Sequence, residues 1–385
     1  MPETITLFTF QMMHSLTRRL NKSSLLFYLF FLKVLPSKRI KECQGSILVI
    51  ADLFFGDLAM AGRLILEIKK KNPSRKIILL SKFNLSDAAN LFDVEVINAD
   101  YLNWRILGEL RKASPEGYGK IINIFSWKWL SLLEALPHGE VISHLGGKSR
   151  SNKTISKIIP ISDRPIPASR MMFDLAQSSA KDIENIHLKS LKLSDRFKDL
   201  HDYLIIHIGT NHQARLWPLE LLELLFSLSE ASKKSIVVTG FKQEDTYQNQ
   251  LEQILDGYRN KIKIINLMSQ TNLRELLELV SNAKGIISVD TGIIHWARLF
   301  LIPNLSVMGQ SDNKLFGAQG PYFILSRSIA TEPLDCQDKH TFHGIKINWV
   351  NTCARNACPL PSRLCFDGIN YHEVEKDFFE LFCKP

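Results

Sequence analysis

The residues best suited to chemistry lie where a buried strand, residues 285–289, gives way to a helix that begins around Thr291 and Gly292. The first turn of a helix offers unpartnered backbone N–H groups and the positive end of the helix dipole, which together bind a diphosphate. Asp290 lies beside them, and because a carboxylate repels phosphate we expect it to accept hydrogen bonds from sugar hydroxyls or to cap the helix. His295, one turn later, either orients this loop or packs in the core. These residues predict a ligand that carries a diphosphate and a sugar.

A second polar segment follows the apolar run at residues 203–208 and contains Gly209, Thr210 and Arg215. In a Gly-Thr turn the backbone N–H groups and the hydroxyl donate to phosphate, while a nearby guanidinium adds paired donors and charge. The alternative is an ordinary connecting loop with an arginine on its surface. His207 lies mid-strand among apolar residues, and we predict that it is a hydrogen-bonded core histidine.

A third segment follows the apolar run at residues 235–239, where Gly240 supplies a turn and Glu244 lies near the start of the next helix. A carboxylate at such a position can hydrogen-bond the hydroxyls of a ribose. The alternative is that Glu244 is one of the acidic residues that commonly occupy helix starts.

The first apolar run, residues 46–51, leads to Gly56, which allows a tight turn, and to Asp57 at the start of a helix. Asp57 is either an N-terminal helix cap, worth about 1 kcal/mol of stability, or a general base that faces the ligand site. No G-x-G-x-x-G follows this strand, so the sequence does not support a dinucleotide-binding site.

Short apolar runs typical of buried parallel strands alternate with helical stretches, and the pattern restarts near residue 203. This alternation predicts an α/β fold with two doubly wound domains and a ligand cleft at the carboxyl ends of their strands. The predicted strands are residues 46–51, 76–80, 94–97, 120–124, 203–208, 235–239, 262–265 and 285–289, and the predicted helices are 58–69, 219–230, 244–255 and 272–282. The expected segments are a leader at 1–45, an N-terminal domain at 46–190, a C-terminal domain at 191–365 and a final helix at 366–385.

The composition suits two folded domains, since 385 residues exceed one hydrophobic core and 45% of them are hydrophobic. The formal net charge is +9, and residues 1–45 carry seven basic and two acidic residues, an excess of five of the nine. A nucleic-acid groove needs basic and aromatic residues along one face of the folded body, so we expect no nucleic-acid partner. The basic leader suits an anionic membrane surface better.

The leader contains an apolar run at residues 25–32, which is too short for the ~20 residues that span a bilayer. No small-residue cleavage site follows it, so a signal peptide is not indicated. The leader is therefore either an interfacial anchor or an additional helix packed on the body. The six cysteines do not make a disulfide framework, which favours a reducing cytoplasm. We expect a cytoplasmic protein, peripheral on the inner face of the plasma membrane if the leader is an anchor.

Four segments, in this order and at this spacing, resemble glycosyltransferase family 9, the bacterial lipopolysaccharide heptosyltransferase type. They are the strand that leads to Gly56-Asp57, the loop with Thr210, Arg215 and Trp217-Pro218, the Gly240 turn with Glu244, and Asp290-Thr291-Gly292-x-x-His295 followed by Pro303 and Gly309. The resemblance covers residues 46 to about 375.

The resemblance implies a GT-B architecture, in which two Rossmann-like domains face a central cleft, with the acceptor on the N-terminal domain and the donor on the C-terminal one. Residues 371–382 would form a terminal helix that returns to the N-terminal domain. The resemblance also implies that Asp57 is the catalytic base, that Arg215 binds the donor phosphates and that Asp290-Thr291-Gly292 contacts the donor.

We therefore expect an inverting glycosyltransferase that needs no metal or other cofactor. Its expected donor is ADP-heptose, and its expected acceptor is a lipopolysaccharide core or related glycolipid. Two alternatives stay open. One is a catalytically altered, membrane-associated nucleotide-sugar-binding protein, which the aromatic segment 123–129 and the leader motivate. The other is a GT-B sugar-nucleotide epimerase.

A cysteine cluster near the end of many family relatives is matched by Cys353, Cys358 and Cys365. Their spacing is not that of a zinc ribbon, and a clear fourth ligand is missing from the pattern. We expect structural thiols, with metal binding as the alternative.

Overall fold

The structure is a computed structural model that describes residues 45–51, 53–82, 85–99, 103–126, 129, 135–144, 155–179, 183, 186–208, 213–318, 323–360 and 362–383. The leader up to residue 44, Gly209, Thr210 and residues 127–128 of the aromatic segment lie outside this set. What the sequence predicts for them stays a prediction.

The first sheet has six parallel strands. They are β1 (Ser46–Ala51), β2 (Ile77–Ser81), β3 (Glu95–Asn98), β4 (Tyr118–Ile124), β5 (His138–His144) and β6 (Lys157–Ile159), in the spatial order β3-β2-β1-β4-β5-β6. The α-helices between them are α1 (Phe55–Lys71), α2 (Ser86–Ala89) and α3 (Trp104–Ala113). Strand β1 is buried at every position, as expected for a central parallel strand covered on both faces. The order of the strands is that of a Rossmann-like sheet.

The second sheet repeats this order in six further parallel strands. They are β7 (Tyr203–His207), β8 (Ser235–Thr239), β9 (Ile264–Asn266), β10 (Gly285–Ser288), β11 (Asn304–Met308) and β12 (Ser326–Ala330), in the spatial order β12-β11-β10-β7-β8-β9. The accompanying helices are α4 (Ala168–Phe173), α5 (Leu219–Ala231), α6 (Asp245–Arg259), α7 (Leu273–Asn282), α8 (Gly292–Leu299), α9 (Asn313–Phe316), α10 (Leu364–Asp367) and α11 (Tyr371–Phe382). A small antiparallel hairpin, β13 (Thr341–Phe342) and β14 (Ile345–Lys346), follows β12.

The chain divides into two compact units. The first contains β1 and the described residues from Lys69 to Ile161, and the second contains Phe54–Ile68 together with the described residues from Ser162 onward. Most of α1, including Asp57, therefore groups with the second sheet. The predicted segment limits at residues 45, 190 and 365 differ from the limits of these two units. The predicted segments were defined by their expected binding roles, and they stay a prediction.

Helix α11 has the predicted bounds, and its return to the N-terminal domain stays a prediction. Its buried residues Val374, Phe378 and Phe382 belong to the hydrophobic core of the second sheet. A Cβ on Gly285, the first residue of β10, would lie 2.3 Å from the Phe382 ring, so the glycine makes room for this helix.

The predicted α/β fold with two doubly wound sheets is confirmed. Strands β1 and β8 have the predicted bounds, whereas β5, β6, β11 and β12 were missing from the prediction. In β11, Asn304 and Ser306 are fully buried polar residues that interrupt the apolar run, and Ser326 and Arg298 hydrogen-bond to them. Among the described residues, no helix is both long and apolar enough to cross a membrane.

Candidate functional site

The central strands of the second sheet, β7 and β10, pair in parallel with His207 opposite Ser288. The strand order reverses between them, and doubly wound sheets bind their ligands at the carboxyl ends of the strands beside such a reversal. The chain leaves these two ends toward Arg215 and Asp290. The predicted donor residues therefore lie at one edge of one sheet.

Asp290 is buried, with 7% of its surface exposed, and Thr291 rather than Asp290 is the N-cap residue of α8. Oδ1 of Asp290 lies 3.5 Å from His295 Nε2, and the Ser311 hydroxyl donates a hydrogen bond to the Asp290 carboxylate. Burial by itself would raise the pKa of Asp290, but the hydrogen bond from His295 and the charge of Arg215 outweigh it and lower the pKa to about 2. Of the two predicted roles, the helix cap is therefore wrong. The carboxylate is ionised and held by protein donors.

His295 is fixed as a hydrogen donor to Asp290. Burial lowers the pKa of the His295 ring, so the ring is neutral near pH 7. Arg298 Nη1 lies 3.3 Å from His295 Nδ1 and can only donate, so Nδ1 accepts and Nε2 carries the hydrogen. Arg298 is itself buried, and it also donates to Phe316 O and to Ser306 Oγ. His295 is thus packed in the core and orients Asp290, so the two predicted roles coexist.

Gly56 and Gly292 bring the starts of α1 and α8 into backbone contact. A Cβ on Gly56 would lie 2.7 Å from Gly292 Cα, and one on Gly292 would lie 2.8 Å from Phe55 Cδ1. Trp296 strengthens the contact, because its ring stacks on Phe55 with centroids 5.4 Å apart and its Nε1 donates to Phe55 O at 3.1 Å. Gly56 lies within the first turn of α1, so the predicted tight turn is wrong and the close approach explains the glycine. The contact places Asp57 beside the start of α8.

The two oxygens of Asp57 have different partners. Oδ2 accepts a hydrogen bond from Phe54 N at 3.1 Å, which completes the start of its own helix as one half of a capping box. Oδ1 lies 3.5 Å from His343 Nε2, and the Asp57 side chain is 14% exposed. Asp57 is therefore the third residue of the helix rather than the predicted N-cap, and one of its oxygens accepts from the residue before the helix.

Arg215 is half-buried and is held by two acceptors. Its Nη1 donates to Asp290 O at 3.2 Å, and its Nε donates to the side-chain oxygen of Gln310 at 2.9 Å. Glu244 is exposed, lies immediately before α6 and accepts a hydrogen bond from Gln213. The structure thus brings Arg215, Glu244 and Asp290 to one edge of the second sheet.

Gly240 and His207 match their predicted structural roles. Gly240 has a φ of +125°, and a Cβ there would lie 1.5 Å from Ile208 O, so only glycine fits this turn. His207 is buried, its Nδ1 lies 2.9 Å from Thr239 Oγ1, and burial lowers its pKa to about 4.

Sequence reasoning missed Gln310, Ser311, Arg298 and His343. Gln310 and Ser311 belong to a polar run directly after β11, the same position that Asp290 has after β10, and this signal was available in the sequence. His343 lies in the turn of a hairpin whose strands have two residues each, which is too short to leave a periodic pattern.

Five cysteines lie in the described part of the chain as free, half-buried thiols. Burial, together with the neighbouring Cys358 and Cys336, raises the pKa of Cys365 to about 11. Within the described residues, no group of three or more His, Cys, Asp or Glu side chains has the arrangement of a metal site.

Comparison with known proteins adds the family. Residues 162–345 match the family model described as Glycosyltransferase family 9 (heptosyltransferase). The matched segment contains Arg215, Glu244, Asp290 and His295. The match covers just under half of the chain and makes residues 162–345 similar to the family 9 glycosyltransferases. The resemblance predicted from the sequence is thereby confirmed, although no curated protein matches the chain significantly.

Solved structures of bacterial glycosyltransferases share the fold of this chain. The ADP-heptose lipopolysaccharide heptosyltransferase II of E. coli superimposes with a TM-score of 0.60 at 16% identity, covering 88% of this chain and 98% of that one. The E. coli heptosyltransferase WaaC, solved with ADP-2-deoxy-2-fluoro heptose, gives 0.53 at 16% identity and covers 73% and 95%. The iron-containing dodecameric glycosyltransferase TibC of E. coli H10407 gives 0.52 at 12% identity and covers 90% and 77%. The predicted GT-B type of fold is thus confirmed.

Proposed function

We propose that this glycosyltransferase is an inverting enzyme that moves a heptose from ADP-heptose onto a hydroxyl of a lipopolysaccharide core or related glycolipid. The observation that carries the proposal is the Gly56–Gly292 backbone contact, which sets the partly open carboxylate of Asp57 beside the start of α8. The similar fold of WaaC, solved with ADP and with ADP-2-deoxy-2-fluoro heptose, supports ADP-heptose as the donor.

The donor is bound by groups at the carboxyl edge of the second sheet. Arg215 and the N–H groups at the start of α8 hold the diphosphate, with the Thr210 hydroxyl joining them as the sequence predicts. Glu244 accepts hydrogen bonds from the ribose. Asp290, held ionised by His295 and Ser311, uses its remaining acceptor capacity for a sugar hydroxyl.

Catalysis depends on Oδ1 of Asp57. The carboxylate takes the proton of the acceptor hydroxyl as the hydroxyl oxygen attacks the anomeric carbon from the face opposite the diphosphate. A new carbon–oxygen bond forms, the bond to the diphosphate breaks, and ADP leaves with the electron pair, so the anomeric configuration inverts. The guanidinium of Arg215 and the start of α8 stabilise the charge that develops on the leaving group. These fixed charges perform the role that a divalent metal has in other transferases, and no cofactor enters the proposal.

The test is a transfer assay on the purified full-length protein with ADP-heptose and core oligosaccharides from heptose-deficient cells. We expect one heptose to be added per acceptor, one ADP to be released, and NMR to show inverted anomeric configuration, with and without a chelator. The chelator arm is needed because TibC is an iron-containing relative. Release of free sugar and nucleotide without acceptor would favour the epimerase alternative. Donor binding without any transfer would favour the binding-protein alternative.

We further infer that the basic leader, residues 1–45, attaches the enzyme to the anionic inner face of the plasma membrane. Co-sedimentation should be stronger with vesicles that contain anionic lipid than with neutral ones, and 0.5 M salt should weaken it. Equal binding to both vesicle types would contradict the attachment.

A further inference from the structure

A hairpin that the sequence did not reveal ends beside Asp57. Its two strands, β13 and β14, are joined by His343 and Gly344. We propose that His343 is a positioning residue that holds Oδ1 of Asp57 toward the acceptor hydroxyl. The proposal rests on the proposed function, because it assigns how the base of that reaction is oriented.

The turn of the hairpin accepts a histidine without strain. His343 and Gly344 both have positive φ values, 46° and 77°, which is typical of the two-residue turns that favour Asn-Gly. Histidine is, with Asn and Asp, one of the residues enriched in this left-handed conformation. The role of the side chain therefore follows from the contacts of its ring.

The ring of His343 is held in one place by aromatic packing. It meets Phe342 edge-on with ring centroids 4.4 Å apart, and Phe342 in turn packs edge-on against Phe316 at 5.8 Å. Phe342 is buried, with 5% of its surface exposed. The His343 side chain is 18% exposed, and its Nε2 lies 3.5 Å from Asp57 Oδ1.

The groups around Asp57 are compatible with this role of His343. Phe54 N occupies Oδ2, and His295 lies within electrostatic range of the carboxylate. Within the described residues, no lysine or arginine nitrogen lies within 4.0 Å of Asp57. The imidazole N–H of His343 is therefore the side-chain donor that lies nearest to Oδ1 of Asp57, and it can fix the orientation of this oxygen.

Two substitutions test the proposal without straining the turn. His343→Gly suits the positive φ and leaves a gap beside Asp57, and His343→Gln keeps a hydrogen donor of similar reach. Lys346→Ala in the exposed part of β14 is the matched control.

We expect kcat of His343→Gly to fall about 10- to 100-fold, because a catalytic group displaced by about 1 Å loses about that much rate. The Kd for ADP-heptose should stay within about twofold, added imidazole should restore part of kcat, and His343→Gln should lie between Gly and wild type.

A kcat within twofold of wild type for His343→Gly overturns the proposal. A loss of kcat that imidazole does not restore, with an equal loss of donor affinity, also overturns it.

A second measurement does not depend on sugar transfer. We expect the ¹⁵N resonances of the His343 ring, assigned by difference from His343→Gly, to shift in Asp57→Asn and not in Lys346→Ala. If wild type transfers no sugar but these resonances respond, the proposed function fails and the contact stands. If they do not respond, the proposal fails whatever the activity.

Discussion

Asp57 and Asp290 are two carboxylates in corresponding places, since each follows a central strand of its sheet and lies at the start of a helix. Their surroundings differ. Asp290 is held by His295 and Ser311 with a pKa of about 2, whereas Asp57 has one oxygen on its own helix and the other beside His343. The same residue type at the start of a helix is therefore a fixed anion at Asp290 and a partly open carboxylate at Asp57. This difference is the physical basis for assigning donor orientation to Asp290 and proton transfer to Asp57.

The sharpest test of this contrast is Asp57→Asn, which keeps the shape and the acceptor for Phe54 N but removes the base. We expect kcat to fall about 10²- to 10⁴-fold, the usual contribution of general-base catalysis, with the Kd for ADP-heptose within about twofold of wild type. Steady-state kinetics and calorimetry give the two values. Asp93→Asn, at an exposed carboxylate, serves as the control. A kcat within tenfold of wild type for Asp57→Asn would place the base elsewhere.

Asp290→Asn should show the opposite pattern. The variant loses charged hydrogen bonds in a buried site, so we expect the free energy of unfolding to fall by about 3 kcal/mol and donor affinity to weaken roughly tenfold. Urea unfolding and calorimetry measure these effects. If kcat fell far more than donor affinity, the division of roles between the two carboxylates would be wrong.

The contact that joins the two regions can be disturbed at Gly56. Gly56→Ala forces a Cβ to within 2.7 Å of Gly292 Cα, and we expect a loss of about 2 kcal/mol in the free energy of unfolding. Gly257→Ala is the matched control, because no atom lies within 4 Å of its Cβ. That substitution in α6 should raise the stability by about 0.5–1 kcal/mol. Equal effects of the two substitutions would mean that the helix starts are not in contact.

Asp290 and His207 should each affect the pH dependence of stability in a different pH range. Asp290 has a folded pKa of about 2, below its unfolded value near 4, so its stabilisation is present above pH 4 and is lost as the pH falls toward 2. His207 has a folded pKa of about 4, so the unfolded chain takes up its proton first and stability falls between about pH 6.5 and 4.

Each proton that is bound in only one of the two states changes the slope of the unfolding free energy against pH by at most about 1.4 kcal/mol per pH unit. We expect His207→Asn to flatten the upper limb of a urea-unfolding profile and Asp290→Asn to flatten the lower one. A profile that keeps both limbs in both variants would assign the acid sensitivity to other groups.

The sequence by itself determined the repeating strands and helices, the loops at the carboxyl ends and the family resemblance. Apolar runs are local patterns, so β1 and β8 could be placed to the residue, and the family resemblance gave the bounds of α11. Arg215, Glu244 and Asp290 were found for the same reason, because polar residues directly after buried parallel strands share one edge of a sheet.

Only the tertiary structure decided which of these ends meet. The pairing of Gly56 with Gly292, the packing of Arg298 on His295 and the approach of His343 to Asp57 join residues far apart in the chain. Such contacts depend on how whole helices and hairpins pack, and no local periodicity encodes them. The same packing set the pKa of Asp290, because burial and hydrogen bonding are properties of the assembled neighbourhood rather than of a residue type.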